Sequence, residues 1–126
     1  MTISGIGIDL CEIERMNKSI DKDTDFLFRK KVFSESEIKY CEKMPNKAQH
    51  YAARFAAKEA FIKASGNTKV TLKDISTENK VDGNPYFKLS QKINNYLQEH
   101  SITKTHLSLT HTKTTAAAVV IIESAG

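Results

Sequence analysis

An alanine-rich stretch from Lys47 to Ser65 constrains the fold of this chain more than any other feature. It contains seven alanines and no β-branched residue before Ile62, a composition that strongly favours helix. Gly66 follows directly and suits the position just after a helix C-terminus. The pattern predicts one long helix whose small side chains allow another element to pack closely against it.

The N-terminal residues 3–10 alternate in character, as in a β-strand. One predicted face is apolar and comprises Ile6, Ile8 and Leu10. The other comprises Gly5, Gly7 and Asp9. Glycine inside a strand often marks the close approach of another backbone or a ligand. We therefore expect a strand whose glycine-bearing face ends in a carboxylate.

The remaining segments predict short helices and antiparallel strands. Apolar spacing at Leu10, Ile13, Met16 and Ile20 predicts a helix directly after Asp9, and residues 26–32 predict another. A capping box at Ser34–Glu37 predicts the start of a helix that runs through Cys41. A hairpin is predicted for residues 72–77 and 85–89, around Gly83. The last predicted elements are a helix at 90–100 and strands at 106–110 and 116–122. Residues 1–126 thus predict a single α+β domain, with helices packed on a small, mostly antiparallel sheet.

Composition excludes several classes of protein. The net charge of +4, from 19 basic and 15 acidic residues, is too small an excess to indicate nucleic-acid binding. The longest apolar run, Ala116 to Ile122, is far shorter than the roughly 20 residues of a membrane span. The N-terminus lacks the basic region of a signal peptide. Because Cys11 and Cys41 stand singly, we expect buried structural thiols in a cytoplasmic, membrane-free protein.

Glu59 is the first candidate for chemistry, because it shares a helix stripe with Phe55 and Ile62 and a charge there needs a partner. One interpretation is a structural pair with Lys63, one turn further along the helix. The other brings Asp9 close to Glu59 with a cation between the two carboxylates, since Mg²⁺ is commonly held by two such groups, waters and phosphate oxygens. Arg54, Lys58 and Lys63 would then contact the phosphates.

His111 is the second candidate. It follows an alternating strand, in a turn rich in threonine. Such a histidine is either an ordinary surface residue or, because loops at strand ends carry function, part of a site. The other histidines, at positions 50, 100 and 106, are expected to have no catalytic role.

Three segments in order resemble a known family. They are Gly5–Asp9 with Glu12-Ile-Glu-Arg15, the run Arg54-Phe-Ala-Ala-Lys-Glu-Ala-Phe-Ile-Lys-Ala64, and Ser108-Leu-Thr-His-Thr112 before an alanine-rich strand. Together they resemble the bacterial holo-[acyl-carrier-protein] synthases, the small trimeric class of 4′-phosphopantetheinyl transferases. The resemblance covers nearly the whole chain.

The resemblance implies roles for individual residues. Asp9 and Glu59 would hold Mg²⁺ against the pyrophosphate of coenzyme A. The residues that would bind coenzyme A and its phosphates are Arg54, Lys58, Lys63, Gly83, Pro85, Ser108, Thr110 and His111. Arg15 and Arg29 would face the acidic helix of the acyl carrier protein. The family site lies between neighbouring subunits of a homotrimer.

The reaction that the resemblance implies serves fatty acid biosynthesis. A serine of apo-acyl carrier protein attacks the β-phosphorus of coenzyme A, and adenosine 3′,5′-bisphosphate leaves. A metal ion and lysines are natural stabilisers of the charge that develops on the phosphoryl oxygens. Two general bases stay open: Glu59, acting through a water on the metal, and His111.

Three departures from the family pattern accompany the match. The loop at Ser65-Gly66-Asn67 is shorter and has one glycine, Asn84 replaces a common lysine, and Thr112 follows His111 where some members have aspartate. Two rival interpretations remain. One is a binding module for acidic proteins or RNA that uses the basic surface. The other is a structural trimer without catalysis, a degenerate member of the family, which only the shortened loop after Gly66 favours. Mg²⁺-dependent affinity for coenzyme A would separate the enzyme from both.

Overall fold

The computed structural model describes residues 1–125. Within that range the chain forms five α-helices, one 3-10 turn and five strands. In chain order they are β1 (Thr2–Glu12), α1 (Ile13–Asp21), α2 (Leu27–Val32), α3 (Glu35–Glu42), α4 (Lys47–Ser65), the 3-10 turn (Leu72–Asp74), β2 (Ile75–Asn79), β3 (Pro85–Leu89), α5 (Gln91–Glu99), β4 (Ile102–His111) and β5 (Thr115–Ser124). None of these helices is both long enough and apolar enough to cross a membrane.

The strands form two antiparallel sheets. One has three strands in the order β1-β5-β4, and β2 pairs with β3 in a separate hairpin. The buried face of the larger sheet packs against α4 and α5, where Ala60 and Phe61 meet Val120, Ile122 and Ile93. A second apolar cluster joins α4 to α1, α2 and α3. The predicted α+β class, with helices on a small antiparallel sheet, is confirmed.

The glycines of β1 allow α4 to lie directly against the sheet. A Cβ atom at Gly5 would stand 2.0 Å from the carbonyl oxygen of Ala64, and one at Gly7 would stand 1.9 Å from that of Ala60. Any side chain at either position would therefore force the helix away from the strand. The close approach predicted from these glycines is an approach of backbone to backbone, and the small alanine side chains of α4 allow it from the helix side.

The apolar face of β1 points away from the core. Ile6, Ile8 and Leu10 are each between 62% and 66% exposed. The register sets Ile6 beside Ile121 and Ile8 beside Val119 on the same outer face. In this single chain the β1 face that carries the larger side chains is exposed to solvent. The opposite face packs against α4, because only glycines leave room for the helix backbone.

Local signals at helix ends are confirmed, while some element limits differ. The Ser34 hydroxyl accepts from the Glu37 amide and the Glu37 carboxylate accepts from the Ser34 amide, as the capping box predicts. Gly66 ends α4 in the left-handed conformation, with φ 71°. The first helix begins at Ile13 rather than at Leu10, because pairing with β5 extends β1 through Glu12.

Candidate active site

Asp9 lies between β1 and α4. It follows Gly5 and Gly7 on the inner face of β1, so its side chain is directed to the helix side of the sheet. Its carboxylate is only 19% exposed, and Oδ1 lies 3.1 Å from the Lys63 ammonium. Lys63 also donates to the carbonyl oxygen of Ile8, at 3.0 Å. The lysine of α4 thus spans the gap to β1 and partly neutralises Asp9.

Glu59 lies one helical turn before Lys63 on the same side of α4 and is partly exposed. Within residues 1–125 it takes part in no ion pair or side-chain hydrogen bond. The structural pair between Glu59 and Lys63 is therefore not formed, since Lys63 is held by Asp9. Lys63 pairs with Asp9 alone, and both carboxylate oxygens of Glu59 are without a partner in residues 1–125.

The chemistry of these two side chains suits a magnesium ion. Hard carboxylate oxygens are preferred ligands of Mg²⁺, which commonly takes one or two of them and completes its shell with waters and substrate phosphates. No group of three or more His, Cys, Asp or Glu side chains that could enclose a metal occurs in residues 1–125. Asp9 and Glu59 fit an open site that is completed by a phosphate ligand rather than a closed protein cage.

A cavity of about 220 Å³ collects five of the residues predicted to bind coenzyme A. They come from α4, the β2–β3 turn and the end of β4, and they are Arg54, Gly83, Pro85, Thr110 and His111. Among residues 1–125, no carboxylate side chain lines the cavity. Its charge therefore favours an anionic ligand.

Arg54 forms the inner wall of this cavity. Its side chain is nearly fully buried, its Nη2 donates to Asn79 Oδ1 at 2.6 Å, and its guanidinium carbon lies 4.1 Å from the centre of the Tyr40 ring. The Nε–H group has no partner within the described chain. Burying such a donor without a partner is costly. The amide and the aromatic ring thus hold a cation whose hydrogen-bonding capacity is not used up.

His111 stands at the entrance, between this cavity and a neighbouring one. Its Nδ1 lies 3.4 Å from Gln49 Nε2, and the ring is exposed. The neighbouring cavity measures about 690 Å³ and is also lined by Lys47 and Lys113. Positive side chains therefore continue from Arg54 past His111 along the surface to Lys47 and Lys113. These two lysines were not among the site residues predicted from the sequence.

A comparison with family models bears directly on this site. The model of the 4′-phosphopantetheinyl transferase superfamily matches residues 5–120. The chain belongs to this superfamily. The match includes both the carboxylates at β1 and α4 and the cavity around Arg54, and it confirms the family predicted from the sequence.

Individual transferases of this superfamily are similar over nearly their full length. A holo-[acyl-carrier-protein] synthase of Syntrophus aciditrophicus is 46% identical over 124 residues, covering 96% of each chain. The crystal structure of the synthase from Neisseria meningitidis superimposes with a TM-score of 0.88 at 28% identity, over 98% of this chain and all of that one. The synthase of Bacillus anthracis in complex with CoA (3′,5′-ADP) gives 0.80 at 32% identity, over 99% of this chain and all of that one.

Lys58 does not reach the surface of this transferase. Its side chain is fully buried, and its ammonium donates to Glu37 Oε1 at 2.6 Å and to the carbonyl oxygens of Leu72 and Ile75 at 3.0 and 2.5 Å. All three N–H donors are used. Burial lowers the pKa of Lys58, while the Glu37 carboxylate opposes that shift. This placement corrects the expectation that Lys58 contacts phosphate: it joins α4 to α3 and to the start of β2.

Arg29 is likewise an interior residue rather than a docking residue. It is 4% exposed, donates to the carbonyl oxygen of Asp23 at 3.0 Å and lies 3.3 Å from the Glu42 carboxylate. Its guanidinium carbon is 3.9 Å from the centre of the Phe26 ring. This burial corrects the expectation that Arg29 faces the carrier protein, since it instead fastens α2 to its neighbours.

Arg15 remains exposed on α1, at the rim of a groove of about 490 Å³. Apolar side chains form much of the groove, among them Leu10, Met16, Phe28 and Phe55. A cation beside an apolar groove suits an acidic amphipathic partner. Of the two predicted docking residues, only Arg15 lies where a partner could touch it.

Ser108 and Thr110 are exposed and point from β4 to the outer face of the sheet. Ser108 pairs with Val119 and so shares the face that carries Ile8, whereas Thr110 lies at the edge of the Arg54 cavity. In the single chain, Ser108 is therefore separate from the cavity. Its predicted contact with coenzyme A stays a prediction.

Sequence reasoning missed the residues that shape the Arg54 cavity from neighbouring elements. Tyr40, Gln49, His50 and Asn79 all line it. The aromatic and amide side chains carry no charge signal, and His50 is one of the histidines that were expected to have no catalytic role. Cys41, by contrast, behaves as predicted: it is fully buried, and burial raises the pKa of its thiol to about 12.

Proposed function

We propose that this chain transfers the 4′-phosphopantetheine group of coenzyme A to a serine of apo-acyl carrier protein. The products are holo-acyl carrier protein and adenosine 3′,5′-bisphosphate, and the cytoplasm is the expected compartment. The observation that carries the proposal is the carboxylate-free cavity in which Arg54 and His111 meet the turn at Gly83 and Pro85. The full-length similarity to holo-[acyl-carrier-protein] synthases supports the same reaction.

Magnesium is the proposed metal, with Asp9 and Glu59 as its protein ligands. The free oxygens of Glu59 and the partly buried carboxylate of Asp9 support this assignment. Bound there, the ion would supply a positive charge that stabilises the phosphoryl oxygens of the transition state. Lys63 already lies at Asp9, so its ammonium is close enough to contribute to the same stabilisation.

Either Glu59 or His111 would remove the proton of the attacking serine. A general base has to lie within hydrogen-bonding reach of that proton, directly or through one water. Glu59 has both oxygens free, and His111 has an exposed ring at the mouth of the cavity. The pH dependence of transfer by Glu59→Gln and His111→Gln variants would distinguish the two bases.

The outer face of the larger sheet supports assembly of the domain into a homotrimer. Ile6, Ile8 and Leu10 form an exposed apolar band on β1 that continues onto Val119 and Ile121 of β5. Exposed apolar surfaces of this kind mark interaction sites in soluble proteins. Packing of this face against other copies would also bring Ser108 and Thr110 next to a neighbouring subunit. Arg15 and the groove beside it are the proposed carrier-protein surface.

Intact-mass measurement of an apo-acyl carrier protein tests the proposal. Incubation with this chain, coenzyme A and Mg²⁺ is expected to add about 340 Da, the mass of the phosphopantetheine arm, and EDTA is expected to prevent the gain. Release of one adenosine 3′,5′-bisphosphate per modified carrier provides the matching product. No gain with several carrier proteins would refute the assigned reaction, and a gain that persists in EDTA would refute only the metal.

A further inference from the structure

The Tyr40 ring packs against two side chains of the Arg54 cavity, the Arg54 guanidinium and the His50 imidazole. Arg54 lies over the face of the ring, 4.1 Å from its centre, and the His50 ring meets it edge-on at a centroid distance of 5.7 Å. Both residues belong to α4, one turn apart, while Tyr40 comes from α3. The orientation of the His50 ring toward the cavity is therefore set by packing between two helices.

The His50 imidazole lines the cavity and has its hydrogen-bonding capacity free. The ring is only partly exposed, and its nitrogens make no hydrogen bond to any of residues 1–125. By contrast, His111 meets Gln49, His100 meets a backbone carbonyl, and His106 meets Glu123. His50 is thus the histidine of the described chain whose polar atoms are left for a ligand.

The electrostatic surroundings of His50 are positive. Burial lowers the pKa of the His50 imidazole, and Arg54 and His111 lower it further. The other polar side chains that line the cavity include Tyr40 from α3 and the neutral Asn79 from β2, and none of the described lining residues is acidic. An anion that enters the cavity would offset the positive charge of Arg54 and favour the protonated form of the His50 ring.

We propose that His50 is a phosphate-binding residue of this cavity, which takes a proton from solvent when a nucleotide phosphate binds and donates it in a hydrogen bond. The inference rests on the proposed function, because that function brings a bisphosphate nucleotide to Arg54 and His111. It adds a residue to which the sequence assigned no role. It also makes product release depend on pH.

The direction of the pH effect follows from linkage. The free chain holds His50 neutral at neutral pH, and the complex holds it protonated, so binding takes up as much as one proton. Affinity for the nucleotide therefore rises as pH falls toward the lowered pKa of the free imidazole, by at most about tenfold per pH unit. The effect fades at a pH above the pKa that His50 has in the complex, where the ring is neutral in both states.

Isothermal titration calorimetry with adenosine 3′,5′-bisphosphate tests this inference. Titrations at pH 6.5 to 8.5, in buffers of different ionisation enthalpy, count the protons taken up on binding. His50→Gln keeps a polar side chain of similar length but cannot titrate. His100→Gln is the matched control, because His100 ends α5 and only meets the Tyr96 carbonyl and ring. Adenosine, which has no phosphate, is the control ligand.

The unchanged chain and His100→Gln are expected to take up the same number of protons on binding the nucleotide. The number taken up by His50→Gln is expected to be lower by roughly half a proton or more. His50→Gln is also expected to bind about tenfold more weakly at pH 6.5, the effect of one lost charge-assisted hydrogen bond, with a smaller difference at pH 8.5. Protonation of the ligand itself is common to all variants. Adenosine should show no dependence on His50.

Two results would overturn the inference in different ways. Unchanged proton uptake in His50→Gln, with nucleotide still bound, would assign the pH dependence to another group and leave the proposed function standing. Absence of nucleotide binding by the unchanged chain, together with no transfer to carrier protein, would refute both the role of His50 and the proposed function. A structural defect would weaken binding without altering the proton count, so the count separates the two causes.

Discussion

Replacing Lys58 by methionine is expected to destabilise the fold while leaving coenzyme A binding unchanged in the folded protein. Methionine retains an unbranched apolar stem, one atom shorter than the lysine side chain, but removes three N–H donors. The groups left behind are the Glu37 carboxylate and the carbonyl oxygens of Leu72 and Ile75. All lie against a side chain with no exposed surface.

The size of the effect follows from these lost contacts. Removing one partner of a buried ion pair costs about 3–5 kcal/mol, because the other charge stays in the interior. Glu37 keeps two backbone donors, the amides of Ser34 and Thr77, which favours the lower end of that range. A loss of about 3 kcal/mol lowers the Tm of a domain of this size by roughly 9–15 °C.

Urea and thermal unfolding, followed by circular dichroism, provide the assay. Lys63→Met is the matched control, because Lys63 forms an exposed pair with Asp9 and such pairs contribute less than about 1 kcal/mol. The double variant Lys58→Met/Glu37→Gln removes the buried charge as well and is expected to recover part of the loss. Equal stability of Lys58→Met and Lys63→Met, or a stable Lys58→Met with weakened coenzyme A binding, would refute this account of Lys58.

Three further predictions concern other contacts. Asp9→Ala and Glu59→Ala are each expected to abolish transfer at physiological Mg²⁺ with an unchanged circular dichroism spectrum. Near-normal turnover in both variants would exclude Asp9 and Glu59 as ligands of a metal that transfer needs. Gly7→Ala, whose Cβ would lie 1.9 Å from a helix carbonyl, is expected to cost about 1–3 kcal/mol or more in urea unfolding; an unaffected variant would contradict the close packing. The hydrogen bond from His106 lowers the pKa of the Glu123 carboxyl. The pair therefore stabilises the fold at pH values above the pKa that Glu123 has in the unfolded chain. This stabilisation is lost as pH falls through the lower pKa that Glu123 has in the folded protein. His106→Gln is expected to raise the pKa of Glu123 in an NMR titration, and no change would disprove the pairing.

Elements governed by neighbouring residues were predictable from sequence. The limits of α4 follow from its alanines and Gly66, and the capping box at Ser34 and Glu37 opens α3 as expected. These signals lie within a few residues of the structure that they determine. Strand β1 was also predictable, because an alternating pattern needs no information about its partner.

Burial of charged side chains was not predictable, because their partners are distant in sequence. Lys58 and Glu37 are 21 residues apart, and Lys63 and Asp9 are 54 apart. A helical spacing shows which face a lysine lies on but not what packs there. Lys58 and Arg29 therefore gave the charge signal of surface residues, although both hold the interior together.

The orientation of β1 was unpredictable for a related reason. Alternation separates Ile6 and Ile8 from Gly5 and Gly7 but does not say which face meets a helix. Close packing of α4 decides it, since only the glycine face accommodates the Ala60 carbonyl. For the candidate site, the two carboxylates, Arg54 and His111 are predictions from the sequence, whereas Tyr40 and Asn79 became candidates only through the cavity that they line.

A crystal structure of this protein with coenzyme A and Mg²⁺ would locate the nucleotide and the metal together. Phosphate oxygens of the nucleotide are expected within hydrogen-bonding distance of Arg54, and the metal ion is expected to be liganded by Asp9 and Glu59. Coenzyme A bound away from the Arg54 cavity, or a metal held without either carboxylate, would contradict the proposed site.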